Sequence, residues 1–273
     1  MNPSGLIRAL DFWAATWPTA APTRAQTLAA EVVAHRGAPL ARATSTDAPA
    51  ILENTLAAFD RADAAGAWGI EFDVRYDGDR RPVVCHDPDL VRVFGVPGEI
   101  DRPSTAELRR RAPAVPSLHE VVERYGGRRH LMIELKVDAL PVAGPRGSSF
   151  ADALRAIEPG RDWHVLALHP DVFDRASWVP PEARLLVSTA FPGGYSRLSL
   201  KRGWAGIAGH FALVTAPIRR AHHEHRQKVG VGQIASARCL RREVSRGADW
   251  LFTDDAVGAQ GWLDAERRAA CEA

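Results

Sequence analysis

The feature of this chain that most constrains its fold is the alternation of short β-rich runs with helical stretches. The β-rich runs occupy residues 31–34, 68–74, 130–135, 163–168, 184–187, 211–214, 228–231 and 250–252. The helical stretches occupy residues 55–65, 117–125, 148–157, 216–227, 237–246 and 256–271. Strands that are separated by helices pair in parallel, and eight is the number of parallel strands that closes a TIM barrel.

The alternative fold for this pattern is a doubly wound open sheet. Such a sheet binds its ligand at one switch point of the strand order, whereas polar pairs here follow the first three predicted strands in succession. A closed barrel explains this better, because the carboxyl ends of all its strands surround one mouth. We therefore predict a single-domain α/β protein, a TIM (β/α)8 barrel over residues 30–273 with an N-terminal helical extension over residues 1–29. Residues 81–85 are predicted to form a short additional strand.

Composition agrees with one barrel and argues against several classes of partner. The chain has 273 residues, of which 46% are hydrophobic, enough for one large core. Its net charge is only +2, so the many arginines do not indicate a nucleic-acid-binding surface. Cys85, Cys239 and Cys271 are odd in number and far apart, which argues against a disulfide framework or a zinc knuckle.

The N-terminal segment bears on location. It contains no apolar run of about 18 residues, the length that spans a membrane. Residues 6–21 are apolar enough to suggest a signal peptide, but Asp11 and Pro18 interrupt the run, so we expect a cytoplasmic protein rather than a secreted or periplasmic one. The apolar residues at helical spacing are Leu6, Leu10, Trp13 and Trp17. They predict an amphipathic helix that packs against the barrel rather than on a lipid surface.

Short polar motifs stand at or near the ends of the early strands. They are His35-Arg36-Gly37, Glu53-Asn54-Thr55, Glu71-Phe72-Asp73, His86-Asp87 and Glu134-Leu135-Lys136, and Thr253-Asp254 follows near the end of the chain. In order and local sequence they resemble the signature of the glycerophosphodiester phosphodiesterase family. The resemblance covers residues 31–136 closely and afterwards only residues 247–254. It implies a TIM-barrel hydrolase that cleaves glycerophosphodiesters, or related lysophospholipids, to glycerol phosphate and an alcohol.

Three acidic residues form the predicted metal site. Residues two apart on a strand point to the same side, so Glu71 and Asp73 project together, and Glu134 comes from the next strand. Three carboxylates that converge at a barrel mouth can surround one hard divalent cation, Mg²⁺ or Ca²⁺, with Mn²⁺ as a further option. The alternative is that Glu71 and Asp73 only form ion pairs with nearby arginines.

Two histidines are the predicted acid and base. His35 ends the first strand and His86 ends the additional strand, so both can face a bound phosphodiester. An in-line displacement needs one proton removed from the attacking oxygen and one given to the leaving alkoxide, and imidazole can do either near neutral pH. The sequence leaves open which histidine has which role.

Cationic and supporting residues complete the predicted site. Arg36 and Lys136 are expected to neutralise the nonbridging phosphate oxygens. Glu53 is expected either to hydrogen-bond a catalytic histidine or to lie next to the metal, and Asn54 is expected to cap the following helix.

The second half of the chain departs from the family pattern. The resemblance implies a Trp-Thr-Val-Asn motif where this chain has residues 232–235, and a Ser-Phe pair where it has residues 168–169. We therefore expect Gln233, His169 and His210 to contact the alcohol. Choline, ethanolamine and glycerol esters remain open, as does the oligomeric state.

Alternatives to direct hydrolysis stay open at this level. A neighbouring hydroxyl could attack phosphorus to give a cyclic phosphate, as in the related sphingomyelinase D enzymes, and a barrel that only binds phosphodiesters or lipid head groups is a non-enzymatic alternative. Two further features receive structural interpretations. The cluster of His222, His223 and His225 is predicted to be a solvated helix face, and Cys85 is predicted to pack into the barrel wall.

Overall fold

The computed structural model describes residues 20–40, 50–136, 149–190 and 192–272. Its strands are β1 Glu31–His35, β2 Gly69–Tyr76, β3 Pro82–Val84, β4 His130–Leu135, β5 Trp163–Ala167, β6 Arg184–Ser188, β7 Gly206–His210, β8 Lys228–Gly232 and β9 Trp250–Thr253. They form one sheet in the order β1-β9-β8-β7-β6-β5-β4-β2-β3, and β1 also pairs with β2. The second pairing closes the sheet, so the predicted TIM barrel is confirmed.

All the barrel strands run parallel, and one strand stands apart. β3 pairs antiparallel with the end of β2, with Val84 opposite Val74. The additional strand predicted over residues 81–85 is therefore present and extends the sheet beyond the barrel at its mouth.

The helices lie between the strands, as the sequence pattern predicts. They are α1 Arg24–Ala29, α2 Leu56–Ala64, α3 Val91–Phe94, α4 Thr105–Arg111, α5 Leu118–Tyr125, α6 Ser149–Leu154, α7 Asp171–Arg175, α8 Pro192–Arg202, α9 Ala216–Glu224, α10 Ala237–Ser245 and α11 Ala256–Glu272. Each of the six predicted helical stretches coincides with one of them to within a few residues. We missed α8 because it begins with Pro192, Gly193 and Gly194, residues typical of turns. Within the described residues, no helix is long and apolar enough to cross a membrane.

Alternation along the strands divides the core into two layers. Side chains such as Val33 and Met132 point inward and fill the barrel. Their neighbours, such as Phe72 and Ile133, point outward and pack under the helices. The inward rows end at the carboxyl ends of the strands, and this brings the polar motifs to the barrel mouth.

The segment between β3 and α5 has a small core of its own. Val83, Cys85, Leu90, Ile100 and Leu108 are all buried in it. Cys85 is buried as predicted, but it packs in this small core rather than in the barrel wall, and burial raises the pKa of its thiol to about 12. All three cysteines are free, which agrees with the absence of a disulfide framework.

One predicted strand is wrong. The sixth of the eight predicted barrel strands covers residues 211–214, but these residues form a turn, and the strand at this place in the barrel, β7, precedes them. The sequence of β7 is rich in small residues, which favour strands weakly. Gly206 is needed there, because a side chain on it would collide with the backbone oxygen of Lys228 in β8. Phe211 does not belong to a strand; its ring packs against the Arg242 guanidinium, which lies 4.6 Å from the ring centroid.

Only part of the predicted N-terminal extension can be compared with the structure. The helix predicted from Leu6, Leu10, Trp13 and Trp17 lies outside the described residues. The described part of the extension contains α1, which begins after the N-cap Thr23 and packs against α11.

Candidate active site

Three carboxylates meet at the barrel mouth, as the sequence predicts. Glu71 and Asp73 lie on β2, and Glu134 lies opposite Asp73 on β4. One oxygen from each carboxylate lies within 4.8 Å of the other two, and no second group of potential metal ligands was found among the described residues. Glu71 is 2% exposed and Asp73 is 1% exposed. Burying acids together in this way is unfavourable unless positive charge lies beside them.

The electrostatics of the cluster show how much positive charge it requires. Burial raises the pKa of Glu71 well above its ordinary value; the attraction of His35 opposes this shift, and repulsion from Asp73 and Glu134 adds to it. Burial has the same tendency at Asp73, but Lys136 and Arg36 outweigh it and lower the pKa of that carboxyl. The cationic neighbours therefore stabilise the charged form of Asp73, whereas the charged form of Glu71 stays unfavourable.

The donor set fits a hard divalent cation. All three groups offer carboxylate oxygens, the ligands that Mg²⁺ and Ca²⁺ prefer. Oδ1 of Asp73 is buried, and its partner is Lys136 Nζ, 2.6 Å away. The same ammonium also contacts Glu134. A cluster of buried carboxylate oxygens that already lies against one cation is suited to a metal ion as well.

Asn54 has a different role from the one that we predicted. Thr55, not Asn54, is the N-cap of α2 and accepts from the amide of Ala58 at 3.3 Å. Asn54 has a left-handed backbone with a φ of 57°, which turns its side chain toward β2. There Nδ2 donates to Asp73 Oδ2 at 2.9 Å, and Oδ1 accepts from the Asp73 amide at 3.2 Å. Asn54 thus fixes the orientation of Asp73.

Arg36 follows β1 and contacts three acids of the mouth, Glu53, Glu71 and Asp73. Its backbone is also left-handed, with a φ of 55°. Its amide donates to Glu71 Oε2 at 2.9 Å, and Nη1 of its guanidinium donates to Glu53 Oε1 at 2.8 Å. Nε lies 3.4 Å from Asp73 Oδ2. The guanidinium is therefore held at the edge of the carboxylate cluster.

Glu53 contacts arginines, whereas we expected a histidine or the metal. Besides Arg36, its partner is Arg92 of α3, whose Nη2 lies 2.7 Å from Glu53 Oε1. Arg92 Nε also donates to Asp87 Oδ2 at 2.5 Å, and Asp87 Oδ1 lies 2.6 Å from Nδ1 of His86. Arg92 thus connects Glu53 with His86. We missed this residue because it is one arginine in a chain rich in them, and only its position shortly after His86 could have drawn attention to it.

The two histidines are held in the same manner. Nδ1 of His35 lies 2.6 Å from Oδ1 of Asp254, which follows β9, and Nδ1 of His86 lies near Asp87. Nε2 of His35 lies 3.9 Å from Glu71 Oε2. Burial opposes a charge on His35, but Glu71 and Asp254 outweigh burial and raise its pKa to about 9. An aspartate on Nδ1 orients each ring and leaves Nε2 as the nitrogen available for proton transfer.

A cavity of about 330 Å³ extends from the carboxylate cluster across the mouth. Its lining residues are His35, Glu71, Glu134, Leu166, Val187, Ser188, Thr189, Ala208, Gly209, His210, Gly232, Gln233 and Phe252. His210 and Gln233, which we expected to contact the alcohol, are among them. His169 is not among them and is exposed on the surface.

The histidine cluster on α9 differs in part from the prediction. His223 and His225 are exposed, but His222 is fully buried, and its Nε2 lies 2.9 Å from Ser196 Oγ of α8. The prediction of a solvated face was therefore wrong for His222, because α8, which we did not predict, covers it.

The comparisons with known proteins agree with the motifs. The glycerophosphoryl diester phosphodiesterase family model matches residues 35–158. A glycerophosphodiester phosphodiesterase of Bacillus altitudinis is 34% identical over 220 residues, which are 74% of this chain and 89% of the relative. One from Caldanaerobacter subterraneus is 33% identical over 117 residues, 38% of this chain and 44% of the relative. The alignments to that relative and to one from Bacillus subtilis thus span less than half of each relative.

Solved structures share the fold over most of the chain. A phosphodiesterase of Oleispira antarctica, in complex with the product sn-glycerol-3-phosphate, is 25% identical with a TM-score of 0.66 and covers 86% of this chain and 96% of its own. A glycerophosphodiester phosphodiesterase of Agrobacterium tumefaciens is 23% identical with a TM-score of 0.67 and covers 85% of this chain and 99% of its own.

Proposed function

This chain belongs to the glycerophosphodiester phosphodiesterase family, and on that premise we propose that it hydrolyses glycerophosphodiesters to glycerol phosphate and an alcohol. The observation that carries the proposal is the buried carboxylate cluster beside a cavity, with Nδ1 of His35 and of His86 each held by an aspartate. The names of the relatives support it, as does the sn-glycerol-3-phosphate bound to the Oleispira enzyme.

The proposal includes one divalent cation held by Glu71, Asp73 and Glu134. Mg²⁺ and Ca²⁺ suit these ligands, and Mn²⁺ is a further option. When bound, the cation supplies positive charge for the phosphate oxygens and makes phosphorus more susceptible to attack. Asn54 keeps Asp73 turned toward this position through its two hydrogen bonds.

Arg36 and Lys136 are the proposed phosphate-binding residues. Both cations already lie against the acidic cluster, so an incoming phosphodiester meets fixed positive charges and needs little rearrangement of side chains. Such preorganised charges stabilise the negative charge that develops on the nonbridging oxygens in the transition state. Glu53 contributes indirectly, since it holds the Arg36 guanidinium in place.

His35 and His86 are the proposed acid and base. One takes a proton from the attacking oxygen through Nε2, and the other gives a proton to the leaving alkoxide through the same ring atom. Asp254 and Asp87 accept the Nδ1 protons and so fix which nitrogen takes part. These contacts also stabilise the imidazolium that forms during each transfer.

Product analysis of the purified protein tests the proposal. Glycerophosphoglycerol is incubated with the protein and a divalent cation in ¹⁸O-labelled water, and the products are detected by ³¹P NMR. We expect glycerol phosphate to form. Label in the phosphate supports direct attack by water, and an unlabelled cyclic product indicates attack by a neighbouring hydroxyl. A folded protein that binds the cation and the diester without turnover would contradict hydrolysis and indicate a binding barrel.

A further inference from the structure

Arg75 is a buried cation at the barrel mouth that the proposed mechanism does not use. It lies on β2, two residues after Asp73 and four residues after Glu71, so the three side chains point to the same face of the strand. Arg75 is 8% exposed. Burying a guanidinium is unfavourable unless its N–H groups find acceptors, so the contacts of this side chain indicate its role.

Arg75 contacts the main chain of a residue outside the barrel. Its Nε donates to the backbone oxygen of His86 at 2.8 Å. Just before this point, the Cys85 amide donates to the backbone oxygen of Asp73 at 3.0 Å. A hydrogen bond from a charged donor is roughly twice as strong as one between neutral groups. Arg75 therefore ties one of the two proposed proton-transfer residues to the strand that carries two of the three carboxylates.

His86 needs such a contact because it lies outside regular structure. β3 ends at Val84, and residues 85–88 belong to no strand or helix. The His86 side chain is 33% exposed, so packing alone does not hold it in one place. Asp87 orients the ring through Nδ1, but Asp87 lies in the same irregular segment. The position of this segment relative to the barrel must be fixed from elsewhere.

The other proton-transfer residue shows what a barrel strand provides. His35 is the last residue of β1 and lies opposite Glu71 in the pairing of β1 with β2. The sheet itself therefore fixes the main chain of His35 relative to the carboxylate cluster. At His86 the sheet has already ended, and the hydrogen bond from Arg75 replaces what strand pairing does for His35.

We propose that Arg75 is a positioning residue that fixes the main chain of His86 relative to the carboxylate cluster. It thereby holds the His86 ring at the distance from a bound phosphodiester that proton transfer requires. Arg75 acts through His86 and exchanges no proton itself. The inference rests on the proposed function, in which His86 is one of two proton-transfer groups, and it goes beyond that function by naming the residue on which the position of His86 depends.

A double-mutant cycle tests the proposal. Arg75→Met removes the guanidinium and keeps an unbranched side chain. It should lower kcat for glycerophosphoglycerol about ten- to hundredfold and leave KM within about threefold, because a displacement of about 1 Å costs up to about 10²-fold. In a His86→Ala background the same substitution should change kcat less than about twofold, since the group that it positions is gone. In a His35→Ala background its full effect should remain.

Two further measurements need no turnover. In protein with ¹⁵N-labelled histidine, Arg75→Met should shift or broaden the ring signals of His86, which are identified by their loss in His86→Ala. The ring signals of His35 should stay unchanged. By calorimetry, the affinity for Mg²⁺ or Ca²⁺ should not fall by more than about twofold, since Asn54 still orients Asp73.

Two other variants complete the design. Arg75→Lys keeps a buried cation and a donor, so it should lower kcat only about three- to tenfold, and it replaces Arg75→Met if that variant does not fold. The matched control is Arg184→Met. Arg184 also lies on a barrel strand, and its Nε donates to the backbone oxygen of Val179 at 2.7 Å, but at the amino end of β6, away from the mouth. This control should leave kcat and the His86 signals unchanged.

The outcomes separate this inference from the function on which it rests. A loss of kcat that persists in the His86→Ala background, or a marked fall in cation affinity, would mean that Arg75 supports β2 as a whole and would overturn the positioning role. Wild-type turnover and unchanged His86 signals in the Arg75 variants would also overturn it, while hydrolysis stands. If the wild-type protein hydrolyses no diester but the His86 signals alone respond to Arg75→Met, the positioning role stands and the proposed function fails.

Discussion

The two ends of the barrel both bury titratable side chains, but the partners and the charge states of these side chains differ. At the amino ends of the strands, which we call the floor, His130 and His164 face each other with 2.7 Å between Nε2 and Nδ1. His130 stacks on Trp68 with ring centroids 4.3 Å apart, and the His164 ring packs edge-on against Trp250 at 5.0 Å. The other ring nitrogen of His130, Nδ1, lies 3.0 Å from the backbone oxygen of Arg161.

The two buried histidines of the floor are neutral, whereas the buried acids of the mouth lie against cations. Burial lowers the pKa of His130 to about 4 and that of His164 to about 3, so both rings are neutral at pH 7. At the mouth, Lys136 and Arg36 keep Asp73 ionised in spite of its burial. The floor also has the larger cavity, about 770 Å³. Neither burial nor cavity size therefore distinguishes the active site from the floor. The active site is distinguished by its charged side chains.

The largest expected effect of a substitution at the mouth is at the histidines. His35→Ala and His86→Ala should each lower kcat for glycerophosphoglycerol by about 10²–10⁴, because each removes a proton-transfer group. His164→Phe at the floor should leave kcat within about twofold, because its ring takes no part in the chemistry. Steady-state kinetics on the three variants check this. Near-wild-type turnover in both mouth variants would contradict the assignment of the histidines.

The next effect is on metal affinity. Asn54→Ala should weaken cation binding about ten- to hundredfold, the usual cost of losing a group that orients a metal ligand. The neighbouring variant Thr55→Ala removes the helix cap and should cost about 1 kcal/mol of stability without changing cation affinity. Calorimetric titration with Mg²⁺, Ca²⁺ and Mn²⁺ measures both. If Asn54→Ala bound the cation as the wild type does, Asp73 would not depend on Asn54 for its orientation.

A substitution of Arg92 should have a smaller effect on kcat, because Arg92 acts through Glu53 and Asp87, the residues that it contacts. Arg92→Lys should lower kcat roughly tenfold, because an ammonium cannot reproduce the paired contacts with Glu53 and Asp87. Arg109→Lys is a matched control, since Arg109 is 52% exposed against 50% for Arg92 and pairs with Glu120 away from the mouth. Comparing kcat and KM for the two variants checks this. A loss of stability without a change in kcat would make Arg92 only structural.

The two floor histidines should affect the stability of the protein rather than its turnover. In the unfolded chain His130 and His164 gain protons near pH 6.5, whereas in the folded protein they resist protonation until about pH 4 or below. The unfolded state binds more protons in this window, so the free energy of unfolding falls as the pH drops from about 6.5 toward 4. We expect this pair to contribute a loss of about 2–4 kcal/mol between pH 7.5 and pH 5.

Urea denaturation at the two pH values measures that loss. A double variant, His130→Leu with His164→Leu, isolates the contribution of the pair and should show a clearly flatter pH dependence than the wild type. Identical pH dependence in the two proteins would mean that the floor histidines are not neutral in the folded state.

The sequence predicted the mouth better than the rest because its signals are local. The alternation of Glu71 and Asp73 on one strand and the strand-end position of His35 follow from the period of a strand. The contact between His35 and Asp254 joins residues 219 positions apart, and the pairing of His130 with His164 depends on the register of β4 and β5. No local pattern contains such contacts.

The errors have the same origin. β7 is rich in small residues, and its glycines are required by neighbouring strands, Gly206 by Lys228 of β8 and Gly209 by Ser188 of β6. The burial of His222 depends on α8, a helix whose first residues are typical of turns. In each case a packing partner distant in sequence decides the outcome.

The metal site is tested by the rate of glycerophosphoglycerol hydrolysis after the cation is removed with EDTA and then restored. We expect turnover to be lost with EDTA and to return with Mg²⁺, Ca²⁺ or Mn²⁺, and we expect Glu71→Gln to require far more cation for the same recovery. Full turnover in EDTA, or an unchanged cation requirement in Glu71→Gln, would contradict a metal site built from Glu71, Asp73 and Glu134.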